Sequence, residues 1–292
     1  MTLKRQLLLV SLLTLMLPWA GCEFIRETES ALRQSQQTML GGFARAVADS
    51  LESYPEAFPP ASSADQGPAD SLFGHALESE PRLDGYFDDW PLSRESLSEM
   101  RGADGTIRFA LGTTAQFLFL YVEVPDRTIV YADAQSLVPA SNRRYADRVT
   151  LVSTSPPYLN ERLTVAAEAP GFVGTYLVGQ SDPVAQPTER AYWQDVPRSD
   201  PSEAGYRLEM RIPLNLLGTN LGLIVENVGD ATRPGIRSQS FTSRIPGRFV
   251  TRAPELESRA AALVQPGMRL IVTDADGWRL ALAGEIATGD AR

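Results

Sequence analysis

The amino-acid sequence predicts a mainly β protein. An antiparallel β-sandwich follows an N-terminal membrane anchor and a long α-helix, and precedes a short helix and a β-hairpin. Short segments of alternating apolar and polar residues recur at a spacing of roughly ten residues, with Gly, Pro and Asp between them. This pattern favours a sandwich over a βαβ fold. Before the strands, apolar residues recur at spacings of three and four, which predicts the long helix.

Composition limits the function classes. The chain has 292 residues, enough for one sizeable domain with appendages or for two small domains. Its formal charge of -9 argues against nucleic-acid binding, which requires a basic surface to neutralise phosphates. Cys22 is the only cysteine, so an internal disulfide is excluded. His75 is the only histidine, which excludes multi-His metal sites and most His-based catalysis.

Residues 1–22 are predicted to be a membrane anchor or signal segment. Lys4 and Arg5 precede an uncharged run that ends at Cys22 and is about as long as a signal-peptide core with its cleavage region. Three interpretations are open: a signal anchor, a cleaved signal peptide, and a lipoprotein signal acylated on Cys22, because the AGC sequence resembles the end of a bacterial lipobox. Each one exports the remaining chain, so we expect the bacterial inner membrane with a periplasmic domain.

Residues 23–54 are predicted to form a juxtamembrane helix. Two interpretations are open: the helix packs on its own domain, or it forms the seam of a homodimer, as in sensor receptors. Pro55 ends the helix, because the residue before a proline disfavours the α conformation. Residues 55–80 are predicted to be a polar linker, with His75 as a surface residue in a loop.

Residues 81–250 are predicted to form the sandwich. Gln116–Val124 is apolar on both faces, which predicts a central strand covered on each side. Tyr206–Ile212 alternates most clearly, with charged residues at its outward positions. The other predicted strands are Thr106–Gly112, Asp147–Ser153, Leu163–Ala167, Phe172–Val178 and Leu221–Val228.

The stretch 81–91 (PRLDGYFDDWP) opens this region, and we expect it to be the first strand and the lock of the sandwich. Asp84, Asp88 and Asp89 offer the carboxylate oxygens that Ca²⁺ prefers. The same residues suit turns and caps, since Asp-Gly is common turn chemistry. Both interpretations are open. Trp90 is expected to plug the core beneath the first strand.

Five segments, in order, resemble the signatures of family-9 carbohydrate-binding modules: LDGYFDDW, TTAQFLFLYVEVPD, YADRVTLV, YRLEMRIPLNLLG and LGLIVENVGD. The resemblance spans residues 81–249. It implies a β-sandwich with a sugar-binding face and, in some members, structural calcium. Trp193 is the candidate for stacking on a sugar ring, and the neighbouring Tyr192 is a further candidate ligand-binding residue. Three polar residues are candidates for binding the sugar hydroxyls: Asn142, Arg143 and Arg144.

Residues 251–292 are predicted to form a short helix, with Pro254 near its first turn, and a β-hairpin. The sequence VTDADGWRLALAGE resembles a hairpin at the membrane-proximal end of many bacterial sensor domains. The order of anchor, helix, sandwich and hairpin resembles the periplasmic region of histidine kinases associated with dedicated sortase systems in proteobacteria. No kinase core or second membrane span follows Arg292, so we expect a chain truncated before them or a free-standing sensor subunit.

These observations predict a membrane-anchored periplasmic sensor domain that receives a cell-envelope or glycan cue for a two-component histidine kinase. We expect no catalytic residues, no nucleic-acid partner and no cofactor apart from the calcium left open above. The expected partners are the inner membrane, an envelope carbohydrate and a second copy of the chain. The alternative is an exported carbohydrate-binding protein or lipoprotein without a signalling role. An exported hydrolase ranks below both, because its nucleophile and base cannot be named.

Overall fold

The structure is a computed structural model that describes residues 3–55, 58, 70–132, 146–155, 159–177, 184–185, 190–196, 204–230, 232–243, 245–274 and 277–286. The side chains of 3–21, 155, 159–161 and 184–185 are not described. Helix α1 spans Leu3–Glu52 and α2 spans Pro254–Leu263. The strands are β1 (Leu72–Ala76), β2 (Ser98–Arg101), β3 (Thr106–Thr113), β4 (Phe117–Pro125), β5 (Arg148–Ser155), β6 (Leu159–Ala166), β7 (Gly171–Val173), β8 (Thr175–Leu177), β9 (Val184–Ala185), β10 (Arg190–Val196), β11 (Gly205–Pro213), β12 (Asn220–Asn227), β13 (Ile236–Gln239), β14 (Phe249–Thr251), β15 (Leu270–Thr273) and β16 (Arg279–Ala283).

The protein is mainly β, and two large sheets form its main body. Sheet A has the order β14-β1-β3-β4-β11-β10-β7, with β2 paired to β3. Sheet B has the order β13-β12-β5-β6-β8-β9, and β15 and β16 form a separate hairpin. Among the described strands, β1 is parallel to both β14 and β3, and the other pairs are antiparallel. Apart from the stretch 81–91, each predicted strand of the sandwich overlaps an observed strand. Strands β1, β2, β9, β10, β13 and β14 were not predicted, and β1 adds the parallel pairing.

One hydrophobic core joins the two sheets. Leu208 and Met210 of β11 point into it from sheet A, and Leu151 and Leu223 point into it from sheet B. All four are essentially inaccessible to solvent. A fully buried side chain of this size contributes about 1.5–3 kcal/mol. This shared core makes the two sheets a sandwich.

Strand β4 is buried on both faces, as its apolar sequence predicts. Leu118 and Leu120 enter the core between the sheets, while Phe119 and Tyr121 point to the other face and are equally buried. A strand with a solvated face would alternate apolar and polar residues instead. We call the face of sheet A that points away from sheet B the outer face.

A second hydrophobic cluster connects both ends of the chain. Val47 and Leu51, near the end of α1, pack with Val250 of β14, Leu256 of α2 and Leu280 of β16. The end of α1 therefore packs on its own domain, in agreement with one of the two interpretations above. Residues 22–42 of the same helix are exposed along their whole length.

Helix α1 runs through the predicted anchor without interruption, but the side chains before Cys22 lie outside the described residues. Cys22 itself is exposed. In the part of the chain that the structure describes, no helix combines the length and hydropathy that a membrane span requires.

Several sequence predictions need correction. The predicted linker 55–80 contains strand β1, so His75 lies in a strand, partly buried, with its ring 5.1 Å from that of Phe73. The stretch 81–91 consists of bends and turns and is not the first strand. The predicted strand Phe172–Val178 is divided at Gly174 into β7 and β8, which belong to different sheets.

Candidate functional site

A cover formed by residues 77–97 lies on part of the outer face of sheet A. Its side chains Phe87 and Trp90 pack on Tyr121 of β4, with ring centroids 4.8 and 6.1 Å from that of Tyr121. Trp90 is only 4% exposed. The cover thus forms a third layer over the sandwich, and Trp90 is a core residue of that layer, as expected from the sequence.

Glu209 of β11 fixes this cover to the sheet. Its Oε2 accepts hydrogen bonds from the backbone N–H groups of Asp84 and Gly85, both at 2.7 Å, and its Oε1 accepts one from Trp90 Nε1 at 2.9 Å. The side chain is fully buried. Burial raises the pKa of Glu209 to about 7, although the three hydrogen bonds oppose that rise. Gly85 has a φ of 81°, which a residue with a Cβ rarely adopts.

The aspartates of stretch 81–91 have backbone partners. Asp84 Oδ1 accepts a hydrogen bond from Tyr86 N at 3.0 Å, and Asp89 Oδ2 accepts one from Arg82 N at 2.5 Å. These contacts are typical of turn-forming aspartates. Asp88 is exposed. Among the described residues, no group of three or more His, Cys, Asp and Glu side chains is arranged for a metal ion, and calcium stays a prediction.

Beyond the cover, the outer face is open at the β10 and β7 edge. Alternation in β10 points Arg190, Tyr192 and Gln194 outward, because Ala191 and the residue after Tyr192 are in the core. The ring of Tyr192 meets that of Phe172 on β7 edge to face, with centroids 5.2 Å apart. Phe172 is 69% exposed. An aromatic pair at a sheet edge is the most conspicuous apolar feature of this face.

A cleft of about 800 Å³ includes Arg190, which lies two residues before Tyr192 on β10. It is lined by Ala115, Gln116, Phe117, Arg190, Arg211, Pro213, Leu214 and Asn215. Arg190 and Arg211 lie directly opposite each other in the β10–β11 ladder. The guanidinium of Arg211 sits 4.6 Å above the ring of Phe117 and 3.5 Å from Glu80. We call Phe172, Tyr192 and this cleft the open surface.

The structure places Trp193 in the core instead of on a binding surface. Its side chain is 0% exposed and stacks on Tyr206, with ring centroids 3.9 Å apart. Its Nε1 donates a hydrogen bond to Asp195 Oδ1 at 3.1 Å. The residue occupies an inward position of strand β10, so neither ring face is free for a sugar. Tyr192 does point outward, and Asn142, Arg143 and Arg144 lie outside the described residues.

A second buried acidic group joins the two sheets at one end of the sandwich. Asp147, before β5, accepts hydrogen bonds from Val130 N at 2.6 Å and Val228 N at 2.5 Å. Asp126, after β4, faces it, and its Oδ2 has no hydrogen-bond partner among the described residues. Burial raises the pKa of both carboxyl groups. Both carboxylates are buried in the fold.

Sequence reasoning named Tyr192 but missed the other residues of the open surface. The signal for Tyr192 and Arg190 was present, since RAYWQDV alternates small or aromatic inward residues with polar outward ones. Phe172 was placed in a strand, but its exposure depends on β7 being an edge strand. The outward position of Arg211 can be predicted from the alternation in β11. Its position opposite Arg190 cannot, because it depends on the order of the strands in the sheet.

Comparisons with known proteins find similarity at a low level. No protein-family profile matches the chain, and no curated protein matches it. Two solved structures of a family 9 carbohydrate-binding module from Caldicellulosiruptor kristjanssonii, one with glucose and one with cellotriose, are 13% and 15% identical to this chain. Both have a TM-score of 0.41 and cover 62% of this chain, and the similarity covers 96% and 93% of their own chains.

A protein from Bacteroides uniformis described as carbohydrate-binding is 12% identical, with a TM-score of 0.36, and the similarity covers 60% of this chain and 92% of that one. Function is therefore inferred from this chain's own residues.

Proposed function

We propose that this chain is a non-catalytic carbohydrate-binding protein of the bacterial cell envelope, which binds glycan at its open surface. The observation that carries this proposal is the aromatic pair of exposed Phe172 and half-buried Tyr192, on the same face as a cleft that combines apolar and polar side chains. The resemblance of five segments to family-9 carbohydrate-binding modules supports it.

The chemistry of the open surface suits a sugar. Flat aromatic side chains cover the C–H faces of a sugar ring and bury apolar area with little loss of side-chain freedom. Hydroxyl groups at the ring edge need hydrogen-bonding partners, and Gln116, Arg190 and Asn215 offer them at the cleft. A concave site that combines aromatic walls with a few polar groups is typical of small-molecule binding.

Glycan-array binding with the purified protein tests this function. We expect the wild type to bind at least one glycan, and Tyr192→Ala and Phe172→Ala each to weaken that binding about tenfold, the effect of losing about 1.4 kcal/mol of contact. Ile236→Ala is the matched control, since Ile236 is 65% exposed on an edge strand of the opposite sheet. Absence of binding by the wild type, or an equal loss in the control, would refute the proposal.

A second candidate function is the sensor region of a two-component histidine kinase that dimerises through α1. Two observations favour it. Val47 and Leu51 of α1 share a cluster with the sandwich strand β14, so a shift in the sandwich would reach the helix. In the exposed part of α1, Ile25, Leu32 and Met39 recur at seven-residue spacing, as in a coiled coil.

Sedimentation equilibrium of the whole chain tests the dimer. We expect a dimer that Leu32→Glu converts to a monomer, because a charge in the seam would be buried without a partner. Gln34→Glu introduces the same charge on another side of the exposed helix and is the control. A monomeric wild type would count against the sensor candidate.

For location, we propose that residues 1–22 hold the protein at the inner membrane, with acylation of the exposed Cys22 as the lipoprotein alternative. Metabolic labelling with palmitate, compared between wild type and Cys22→Ala, separates the two: label lost in the variant supports the lipoprotein, and no label in the wild type excludes it.

A further inference from the structure

We propose that the cleft beside Tyr192 binds an anionic sugar, whose acidic group pairs with the guanidinium groups of Arg190 and Arg211. This inference rests on the proposed carbohydrate-binding function and names the class of glycan that the open surface would select.

Arg190 and Arg211 place two positive charges directly opposite each other on neighbouring strands. They are direct partners in the β10–β11 ladder, and both line the same cleft. Like charges directly opposite each other on neighbouring strands destabilise a sheet. An oxyanion bound between them would turn this repulsion into two attractive contacts.

Arg190 differs from Arg94, Arg108, Arg207 and Arg211, each of which has a carboxylate within 4 Å. No carboxylate of the described residues pairs with Arg190. Arg211 has only Glu80, which is 48% exposed and 3.5 Å away, and its buried Nε has no hydrogen-bond acceptor in the described part of the chain. In a protein with a net charge of -9, two such cations in one cleft are unexpected. The distances in the other pairs are 2.9 Å for Arg94–Glu123, 3.0 Å for Arg108–Glu99 and 3.6 Å for Arg207–Glu123.

The geometry suits a sugar that carries an oxyanion. The ring of Phe117 supports the guanidinium of Arg211 at 4.6 Å, which orients its planar group of N–H donors. A guanidinium matches the two oxygens of a carboxylate or a sulfate. Tyr192 lies two residues from Arg190 on the same face of β10, which is about 7 Å along the strand. One sugar ring on Tyr192 can therefore place its acidic substituent between the arginines.

Isothermal titration calorimetry with the intact protein tests the inference. The probes are oligogalacturonate, oligoalginate and a hyaluronan oligosaccharide, each paired with its own carboxyl-reduced, neutral form, and a sulfated heparin oligosaccharide paired with its desulfated form. We expect at least one anionic probe to bind about tenfold or more tightly than its neutral form, and higher salt to reduce that preference. The pair that shows the preference identifies carboxylate or sulfate as the anion.

Arg190→Gln is the deciding variant, since Arg190 is exposed and its replacement leaves the core intact. It should abolish the anion preference, and so should Arg211→Gln. Arg207→Gln removes an arginine from the same face of β11 outside the cleft and should keep the preference.

Equal affinity for the anionic and neutral forms, or a preference that survives in Arg190→Gln, would overturn the inference. Tyr192-dependent binding without any anion preference would leave the carbohydrate-binding function standing. Absence of binding to every glycan would overturn both.

Discussion

Replacing Glu209 by Gln tests how the cover is held on the sandwich. Glu209 is fully buried and accepts hydrogen bonds from Asp84 N, Gly85 N and Trp90 Nε1. Gln has nearly the same shape but does not titrate. The variant therefore separates the charge of Glu209 from its size.

The expected effect depends on pH with a definite sign. Burial raises the pKa of Glu209 from 4.5 to about 7 in the folded protein. Between these values the folded state binds more protons than the unfolded state, so the stabilisation is complete below pH 4.5 and is lost as pH rises through 7. The corresponding free energy is at most about 3 kcal/mol. Glu209→Gln lacks this pH-dependent stabilisation. The free energy of unfolding of the wild type minus that of the variant should therefore decrease by up to that amount between pH 5 and pH 8.

Urea denaturation of both proteins at several pH values between 5 and 8 provides the measurement. Other titrating groups, such as Asp147, contribute equally to both proteins and cancel in the difference. A difference that stays constant with pH would show that Glu209 does not titrate in this range. A difference that grows with pH would show that the three N–H donors outweigh burial and lower the pKa of Glu209, which would refute the reasoning.

Three further predictions concern stability. Trp193→Ala should lower the free energy of unfolding by about 3–5 kcal/mol, because it leaves a cavity in the core. Trp193→Phe should lower it distinctly less. Urea denaturation measures both changes, and ligand binding is measured separately. Burial raises the pKa of both Asp126 and Asp147, so the protein loses stability as pH rises from about 4 to 7. Asp126→Asn removes one of these two acids and should make that loss smaller. Urea titrations across this pH range check the prediction. Gly85→Ala should lower the melting temperature, since its φ of 81° costs a residue with a Cβ about 1–2 kcal/mol, whereas Gly41→Ala in the exposed helix should raise it slightly.

The sequence predicts the strongly patterned elements well. Its limits for the strand at Tyr206–Ile212 differ from those of β11 by one residue at each end, because alternation with a buried face defines both the strand and its register. The apolar run of β4 predicts burial on both faces, and Pro254 marks the start of α2. These features depend on local sequence, so the sequence contains them.

The missed features depend on contacts between distant parts of the chain. Strand β1 is short and lies between β14 and β3, so its pairing cannot be read from its own five residues. Glu209 occupies an outward position that alternation assigns to solvent, but the cover buries it. The inward position of Trp193 is visible in the alternation of β10, although a tryptophan next to a tyrosine also suggested a binding platform.

The cover and the open surface are two parts of one face, and Gly85 lies at their border. A Cβ at Gly85 would lie 2.4 Å from Oε1 of Gln194, so the cover touches β10 beside Tyr192. Glu209, directly opposite Tyr192 in the ladder, binds the backbone of Gly85 and thereby holds the cover at this position. The buried carboxylate of Glu209 holds the cover at one position on the sheet. The outward residues beyond that position, Tyr192 on β10 and Phe172 on β7, therefore stay uncovered. The stretch 81–91 therefore determines which part of the outer face stays uncovered.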